Sequence, residues 1–289
     1  MTMSDPDGRG VAMETGETDE AEYAEQAETT ADTGTQPLVI ENLEKHFGGI
    51  TAVDGASFGV EEGSLTGLIG PNGAGKSTTF NCITGFHRPD GGRVVFNGED
   101  ITGLLPNEIA NRGLVRTFQI ARELEEMTVL ENLMLGPRNQ QGEKLLYAVL
   151  PGLRDRVRAE ETEHREKVWE ILEFFEIDHL AEEEAGNLSG GQRKLLELAR
   201  ALMVDPDMAL LDEPFAGVNP TLEEKLLDRI HALKAEGLTF LLVEHDMDVI
   251  MENCEHIIVM HQGSVLAEGD AETIRQNETV IDAYLGEDA

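Results

Sequence analysis

The chain has 289 residues and an ordinary hydrophobic content of 40%, which is enough for one large folded domain or two small ones. With 57 acidic and 22 basic residues, its formal net charge is −35, and this disfavours nucleic-acid binding because an acidic surface repels phosphate backbones. Arginine outnumbers lysine 15 to 7 and the acids are spread along the chain, so we interpret the charge as adaptation to a salty cytoplasm, where ions screen the repulsion.

Residues 1–36 differ in composition from the rest of the chain. They hold ten acids, one arginine and almost no large aliphatic side chains, so they cannot bury enough apolar surface to offset the entropy of ordering. We predict a disordered acidic tail over 1–36 and a folded domain over 37–289. No signal peptide and no membrane span are expected, because the start is acidic and no apolar run approaches about 20 residues. Cys82 and Cys254 are expected to be reduced core residues.

The folded domain opens with segments that alternate or run apolar like strands. The predicted strands are "LVIENL", "ASFGV", "LTGLIG" and "RVVFNGED". Helical spacing of apolar residues then covers the middle of the chain, at 105–113, 128–135, 159–178 and 191–204. In the third of these helices, one face carries Val168, Ile171, Leu172 and Phe175.

Strand-like runs return in the last third of the chain. "MALLDEP" and "TFLLVEH" each follow a predicted helix, as in βαβ units. A hairpin is predicted around Gln262–Gly263, and a last helix over about 271–286. The whole pattern predicts an α/β core that is interrupted by a helical segment from about 119 to 204.

The segment "GPNGAGKST" has the spacing of a phosphate-binding P-loop. It follows a predicted strand and opens a predicted helix, so the N–H groups of its curled backbone would face a phosphate. The alternative is a chance glycine-rich turn. Lys76 would reach the β- and γ-phosphates, and the Ser77 hydroxyl would ligate Mg²⁺. The nucleotide-binding residues predicted here are Gly70, Pro71, Asn72, Gly73, Ala74, Gly75, Lys76, Ser77 and Thr78.

Polar residues that follow apolar strands supply a candidate catalytic set. Asp212 ends the strand in "MALLDEP", and ligands gather at the carboxyl ends of parallel strands, so it is predicted to hold Mg²⁺ directly or through water. Glu213 would accept a proton from an attacking water. Gln119, in "RTFQIARE", would touch Mg²⁺ or that water, and His245 would donate to a γ-phosphate oxygen or to a carbonyl across an interface. The alternatives are a solvated Asp-Glu loop and a structural histidine.

A second candidate anion site lies more than a hundred residues after the first, in "NLSGGQRKLLELAR". Its serine and two glycines come directly before an amphipathic helix, where backbone N–H groups point outward without intrahelical partners. The chain therefore has two candidate phosphate cradles, although one nucleotide needs only one of them.

The order and spacing of the P-loop, Gln119, "LSGGQ", "LLDEP" and His245 resemble those of an ABC-type ATPase over about residues 37–286. This resemblance implies an α/β fold of the P-loop NTPase class. Its parts would be a mixed RecA-like core, an antiparallel β subdomain and an inserted α-helical subdomain. It also implies that the chain binds and hydrolyses ATP with Mg²⁺.

The same resemblance accounts for the two cradles. ABC ATPase domains pair head to tail, so the second loop of one chain would contact the ATP that is held in the P-loop of its neighbour, with the helix dipole aimed at the γ-phosphate. The residues implied in that contact are Ser189, Gly190, Gly191 and Gln192. Phe47 would stack on the adenine ring, although a buried aromatic residue at a strand end is the alternative.

Segments such as "GLTFLLVEHDMDVI" and "GSVLAEG" resemble the ATP-binding subunit of branched-chain amino acid importers, whose close relatives serve urea or other amides. This implies a second ABC ATPase subunit, identical or related, two separate membrane permeases and, indirectly, a solute-binding protein. The chain would then lie in the cytoplasm on the inner face of the cell membrane. Asn219, where many ABC ATPases carry an acidic residue, fits the same branch.

Two other functions and one segment stay open at this point. A non-transport ABC protein is disfavoured by the single nucleotide domain and the acidity, and a regulatory subunit without turnover is disfavoured by the complete catalytic set. Residues 137–160 carry Arg154, Arg156 and Arg158 beside a helical apolar stripe. They either face the membrane or a permease, or pack on their own domain.

Overall fold

The computed structural model of the protein describes residues 36–117, 124–137 and 151–285, with side chains from 158 to 284 in the last range. A six-stranded sheet in the order β10-β9-β3-β8-β7-β6 forms its centre. Its strands are β3 (Leu65–Ile69), β6 (Leu114–Arg116), β7 (Met208–Asp212), β8 (Thr239–Val243), β9 (His256–His261) and β10 (Ser264–Gly269). Neighbouring strands pair in parallel, except that β10 pairs antiparallel with β9.

The apolar runs of the central strands arise because this sheet is covered on both faces. Ala209 and Leu211 of β7 belong to one buried cluster, while Met208 and Leu210 belong to another. The first cluster joins the sheet to the helices of the middle segment, and the second joins it to a smaller sheet. The sequence-based strands in this region and the hairpin at Gln262–Gly263 are confirmed, but β6 was not predicted.

The second sheet has four strands in the order β2-β1-β4-β5 and is antiparallel throughout. Its strands are β1 (Leu38–Phe47), β2 (Ile50–Val60), β4 (Gly91–Phe96) and β5 (Glu99–Asp100). It meets the large sheet at the turn of the β9–β10 hairpin, where Asp54 N donates to Gly263 O at 2.9 Å and Ser264 Oγ donates to Asp54 O at 2.7 Å.

Most helices overlap the predicted positions, but the third predicted helix, 159–178, is observed over 151–174, and the helix over 247–253 was not predicted. They are α1 (Lys76–Ile83), α2 (Pro106–Ala110), α3 (Val129–Met134), α4 (Pro151–Phe174), α5 (Gly190–Leu202), α6 (Pro220–Ala235), α7 (Met247–Asn253), α8 (Ala271–Arg275) and α9 (Glu278–Leu285). The single C-terminal helix predicted over 271–286 is wrong, because Asn277 interrupts it. Asn277 Oδ1 accepts from Thr279 N at 3.0 Å and so caps a new helix start.

The middle helices pack through the face that their spacing predicted. Val168, Leu172 and Phe175 are fully buried and Ile171 nearly so. Asn132 is also fully buried, and its side-chain amide donates to the carbonyls of Leu124, Met127 and Thr128. This amide ties α3 to the turn before it, since a buried polar group is costly unless it is hydrogen-bonded.

Both cysteines are free and buried, as expected. Burial raises the pKa of the Cys82 thiol to about 11 and that of the Cys254 thiol to about 12, so both stay protonated and unreactive near neutral pH. Within the described ranges, no helix is long and apolar enough to cross a membrane.

Candidate active site

The P-loop connects β3 to α1, and its glycines are required by backbone geometry. Gly70 has φ 149° and Gly75 has φ 102°, both in the region that side chains disfavour. A Cβ at Gly70 would collide with the carbonyl oxygen of Met260, and a Cβ at Gly75 would lie 2.5 Å from the carbonyl oxygen of Ala52. The loop is therefore confined on two sides by backbone carbonyls of its own chain.

Lys76 is the first residue of α1 and is only 6% exposed. Its ammonium donates to the carbonyl oxygen of Gly70 at 2.5 Å and to that of Pro71 at 3.0 Å, so it lies back across the loop. A buried cation beside the N-terminus of a helix is a setting that favours a bound anion.

Asp212 and Glu213 lie where β7 ends. Asp212 pairs in register with Val243 of β8, and Glu213 N donates to Val243 O at 2.9 Å. Glu213 has φ 49°, an uncommon value for a residue with a side chain, and such strained positions concentrate at functional sites. His245 Nε2 lies 2.7 Å from Glu213 Oε1. Because a carboxylate only accepts, that ring nitrogen carries the proton in this contact.

One cavity brings the P-loop helix and the end of β7 together. It is lined by Ser77, Arg116, Thr117, Lys194, Glu197, Asp212, Glu213 and Ala216. The Ser77 hydroxyl and the Asp212 carboxylate are hard oxygen donors, which fit Mg²⁺ and leave its remaining positions to phosphate and water oxygens. Within the described part of the chain, no group of three His, Cys, Asp or Glu residues forms a metal site of its own.

Two residues of this site were missed by sequence reasoning. Arg116, the last residue of β6, forms an ion pair with Asp212. Glu244 is 6% exposed, and its carboxylate accepts from Phe215 N at 2.9 Å and from His245 N at 3.2 Å. Burial raises the pKa of the Glu244 carboxyl, while the two backbone hydrogen bonds oppose that rise. The only sequence feature that could have indicated Glu244 is its place at the end of the apolar run "TFLLVEH".

The second loop begins α5 in a different way. Ser189 Oγ accepts from Gln192 N at 3.3 Å, and Gln192 Oε1 accepts from Ser189 N at 2.9 Å, which closes a capping box. Ser189 and Gly190 are exposed, and a Cβ at Gly190 would have no neighbour within 4 Å among the described atoms. Gly191 is buried, and a Cβ there would collide with Leu222.

The remaining predicted site residues have separate settings. Phe47 is 44% exposed at the end of β1, with its ring edge-on to His87 at 5.2 Å between centroids. Asn219 caps α6 through a hydrogen bond from Leu222 N to its Oδ1 at 3.1 Å, a structural role that the sequence did not indicate. Gln119 lies outside the described residues, as do 138–150 and the side chains of Arg154 and Arg156.

Comparison with known proteins decides the family. A sequence profile of the ABC transporter family matches residues 53–216, and a profile of branched-chain amino acid ATP-binding cassette transporters matches residues 264–289. The chain belongs to the ABC transporter family. It is an ABC-type ATPase, and a chain of this family binds ATP.

A relative and two solved structures illustrate the match. A probable branched-chain amino acid transport ATP-binding protein LivG of Archaeoglobus fulgidus is 49% identical over 86% of this chain and 95% of its own. The crystal structure of a nucleotide-free ATP-binding cassette from an ABC transporter is 43% identical, with a TM-score of 0.75 over 86% of this chain and 98% of that one. The dimeric structure of a bacterial ABC transporter cassette is 26% identical, with a TM-score of 0.65 over 81% and 98%. The predicted fold class is confirmed.

Proposed function

We propose that this ABC ATPase powers the uptake of branched-chain amino acids through separate permease subunits. The name of the Archaeoglobus relative and the match of residues 264–289 to a branched-chain amino acid transporter profile support this solute. Urea, an amide or another solute is the alternative, because the same motor serves related transporters. The observation that carries the motor role is the single cavity shared by Ser77, Asp212 and Glu213.

The chemistry of the site follows from the side chains that line this cavity and from Lys76 and His245, which adjoin Ser77 and Glu213. Lys76 offsets charge on the β- and γ-phosphates, and the backbone N–H groups between Gly70 and Thr78, except at Pro71, which has none, cradle them. Glu213 accepts a proton from a water whose oxygen attacks the γ-phosphorus, while the bond from that phosphorus to ADP breaks. His245 orients Glu213 through its 2.7 Å contact. Mg²⁺, held by Ser77 and Asp212 and by Gln119, would neutralise phosphate oxygens when bound.

The exposed start of α5 supports a head-to-tail dimer. Ser189 and Gly190 are exposed, so this helix start serves a nucleotide only when a second ABC ATPase, identical or related, brings one. Gln192 holds Ser189 in place through the capping box. Phe47, exposed at the end of β1, stacks on adenine in this arrangement. A related cassette has been solved as a dimer.

An apolar groove supports the assembly with membrane permeases. Phe86 and Leu135 are 48% and 55% exposed, and both line a cavity whose walls also include Pro106, Ile109 and Val204. We assign this groove, which opens beside the helical subdomain of about 119–204, to permease helices. The chain then lies at the inner face of the cell membrane, and a solute-binding protein delivers the solute to the permeases.

The motor role is tested with Glu213→Gln. This change keeps the shape of the side chain but removes the proton acceptor, so we expect turnover to fall by about 10²–10⁴-fold while ATP still binds. Size-exclusion chromatography with light scattering should then show a dimer with MgATP and a monomer without it. Normal hydrolysis by Glu213→Gln would contradict the assignment of Glu213 as base.

The solute is tested in proteoliposomes that hold the permeases and their solute-binding protein, with this ATPase inside. Labelled leucine, isoleucine and valine should accumulate with ATP, and labelled urea should not. The matched control carries Glu213→Gln, which leaves the assembly intact without turnover. Uptake of urea but not of leucine would replace the solute and leave the motor role standing.

A further inference from the structure

Arg116 holds a position that no motif explains. Its Nη1 donates to Asn81 Oδ1 at 2.7 Å, and its Nη2 donates to Asp212 Oδ2 at 2.5 Å. Asn81 belongs to the P-loop helix α1 and Asp212 ends β7, so one guanidinium joins the two elements that form the nucleotide cavity. The side chains of Arg116 and Asp212 are only 13% and 24% exposed, so water screens this ion pair less than it screens a surface pair.

Two aromatic rings hold the guanidinium in place. Its central carbon lies 5.8 Å from the centroid of Phe80 and 6.0 Å from that of Phe86. Phe80 is fully buried, so it is a fixed wall. Stacking of this kind adds to the charge-assisted hydrogen bonds and favours one orientation of the fork. The contact with Asp212 is therefore built into the fold.

From this geometry we infer that Arg116 is a positioning residue that sets the affinity of Asp212 for the divalent cation. The inference rests on the proposed role of Asp212 in holding Mg²⁺. A guanidinium at 2.5 Å already neutralises the carboxylate, so a cation that binds Asp212 must displace the guanidinium or share an oxygen with it. Arg116 thus weakens metal binding at this carboxylate and makes it easier to reverse between cycles.

The competition separates this role from a simple structural one. If Arg116 only aligned Asp212 for the metal, its loss would weaken metal binding. If its charge competes with the metal, its loss strengthens metal binding. The two possibilities predict changes of opposite sign in the same measurement.

The experiment measures the dissociation constant of a fluorescent ADP in excess EDTA and in excess Mg²⁺, on the full chain and without hydrolysis. The dissociation constant in EDTA divided by the dissociation constant in Mg²⁺ reports the contribution of the metal. Any direct effect of Arg116 on the nucleotide cancels in this ratio. Arg116→Gln and Arg116→Met both remove the charge, and the methionine keeps an apolar stem beside Phe80 and Phe86. We expect the ratio to rise about threefold to tenfold in either variant that folds.

Two matched controls keep the charge. Arg116→Lys retains a cation beside Asp212, and Asn81→Ala removes only the other partner of the fork, so both should keep a ratio within about twofold of the natural protein. The midpoint of Mn²⁺ binding to the ADP complex, followed by electron paramagnetic resonance, should shift in the same order. An unchanged or lower ratio in the neutral variants overturns the inference, as does an equal rise in Asn81→Ala.

Failure of the proposed function looks different in this experiment. A natural protein that binds ADP equally well with EDTA and with Mg²⁺ would remove the metal role of Asp212 itself. A natural protein with a clear Mg²⁺ effect, but no change of ratio in Arg116→Gln and Arg116→Met, would overturn only the role of Arg116.

Discussion

The P-loop and the loop at Ser189, for which we propose contact with phosphate, both begin a helix, but they are built in opposite ways. At α1, the cap is Gly75, which has no side chain to occupy the helix N–H groups, and Lys76 is buried beside it. At α5, Ser189 and Gln192 bond to each other across the first turn, and the loop faces outward.

This difference indicates which loop is complete by itself. The first is walled by the carbonyls of Ala52 and Met260 from its own chain, and its cation is already in place. In the second, a Cβ at Gly190 would meet no described atom within 4 Å, while Gly191 packs on Leu222. We therefore infer that the first loop forms a site within one chain and that the second supplies half of a shared site.

The largest effect is expected from changing Lys76 in the P-loop, and it should appear in ATP affinity. Lys76→Ala removes the buried ammonium, so we expect ATP affinity of the monomer to fall at least about 100-fold, since a charged partner of a bound phosphate is lost. Isothermal titration with a non-hydrolysable ATP analogue measures it. Because Lys76 also bonds to two loop carbonyls, a thermal melt is needed to show that the variant is folded. Undiminished affinity in a folded variant would contradict the cis role of this loop.

Gly190 and Gly191, in the loop at Ser189, allow a matched pair of substitutions. Gly191→Ala places a Cβ against the terminal methyl of Leu222, which is half-buried and must rotate away, so we expect this variant to be less stable than Gly190→Ala by about 1 kcal/mol. Gly190→Ala has open space and should be neutral or stabilising by up to about 1 kcal/mol. Urea unfolding of the monomer compares them.

Turnover of the same pair sharpens the comparison. A methyl group at position 190 stands on the surface that would meet a neighbour's nucleotide, so Gly190→Ala should lower ATPase activity several-fold although it leaves the monomer stable. If Gly190→Ala hydrolyses ATP at the natural rate, the exposed face of this loop does not contact the nucleotide in trans.

The P-loop and the strand-end residues beside it could be predicted from the sequence, because their patterns lie within short stretches of the chain. Asp212 and His245 follow apolar strands that are buried on both faces, and such strands place polar residues at a shared edge. The Asp212–Arg116 pair joins residues 96 positions apart, and β6, which carries Arg116, has only three residues. That is too short for periodicity to detect, so neither the strand nor its ion pair could be read from pattern.

The role of the loop at Ser189 was predicted from a family resemblance and not from its residues alone. The resemblance to ABC ATPases supplied a reason for "LSGGQ", but the residues themselves did not separate its two glycines. Only the fold shows that Gly191 faces Leu222 and Gly190 does not, because Leu222 lies 31 residues further along the chain, in the first turn of α6. In the same way, Asn219 as a helix cap depends on where α6 begins.

Ser189→Ala should have a smaller effect that divides between stability and turnover. Loss of the cap costs about 1 kcal/mol of unfolding free energy, because Gln192 N loses its acceptor. ATP binding by the isolated monomer should stay unchanged, while hydrolysis falls. Ser189→Thr keeps the hydroxyl and serves as the control. Weaker ATP binding by the Ser189→Ala monomer would contradict a loop that serves only a neighbour.

The smallest effect is expected at Glu244, whose carboxylate accepts hydrogen bonds from Phe215 N and His245 N. Burial raises the pKa of this carboxyl above the ordinary glutamate value of 4.5, so the folded state favours the protonated form. Its contribution to stability is therefore greatest below pH 4.5 and is lost as the pH rises through the raised value. Glu244→Gln lacks that titration, but its amide group offers only one acceptor to Phe215 N and His245 N, which leaves one N–H unpaired. Urea unfolding between about pH 4.5 and pH 7 should thus show a less stable variant whose deficit narrows as the pH rises. A deficit that widens with pH would mean that the ionised carboxylate is the form that the fold stabilises.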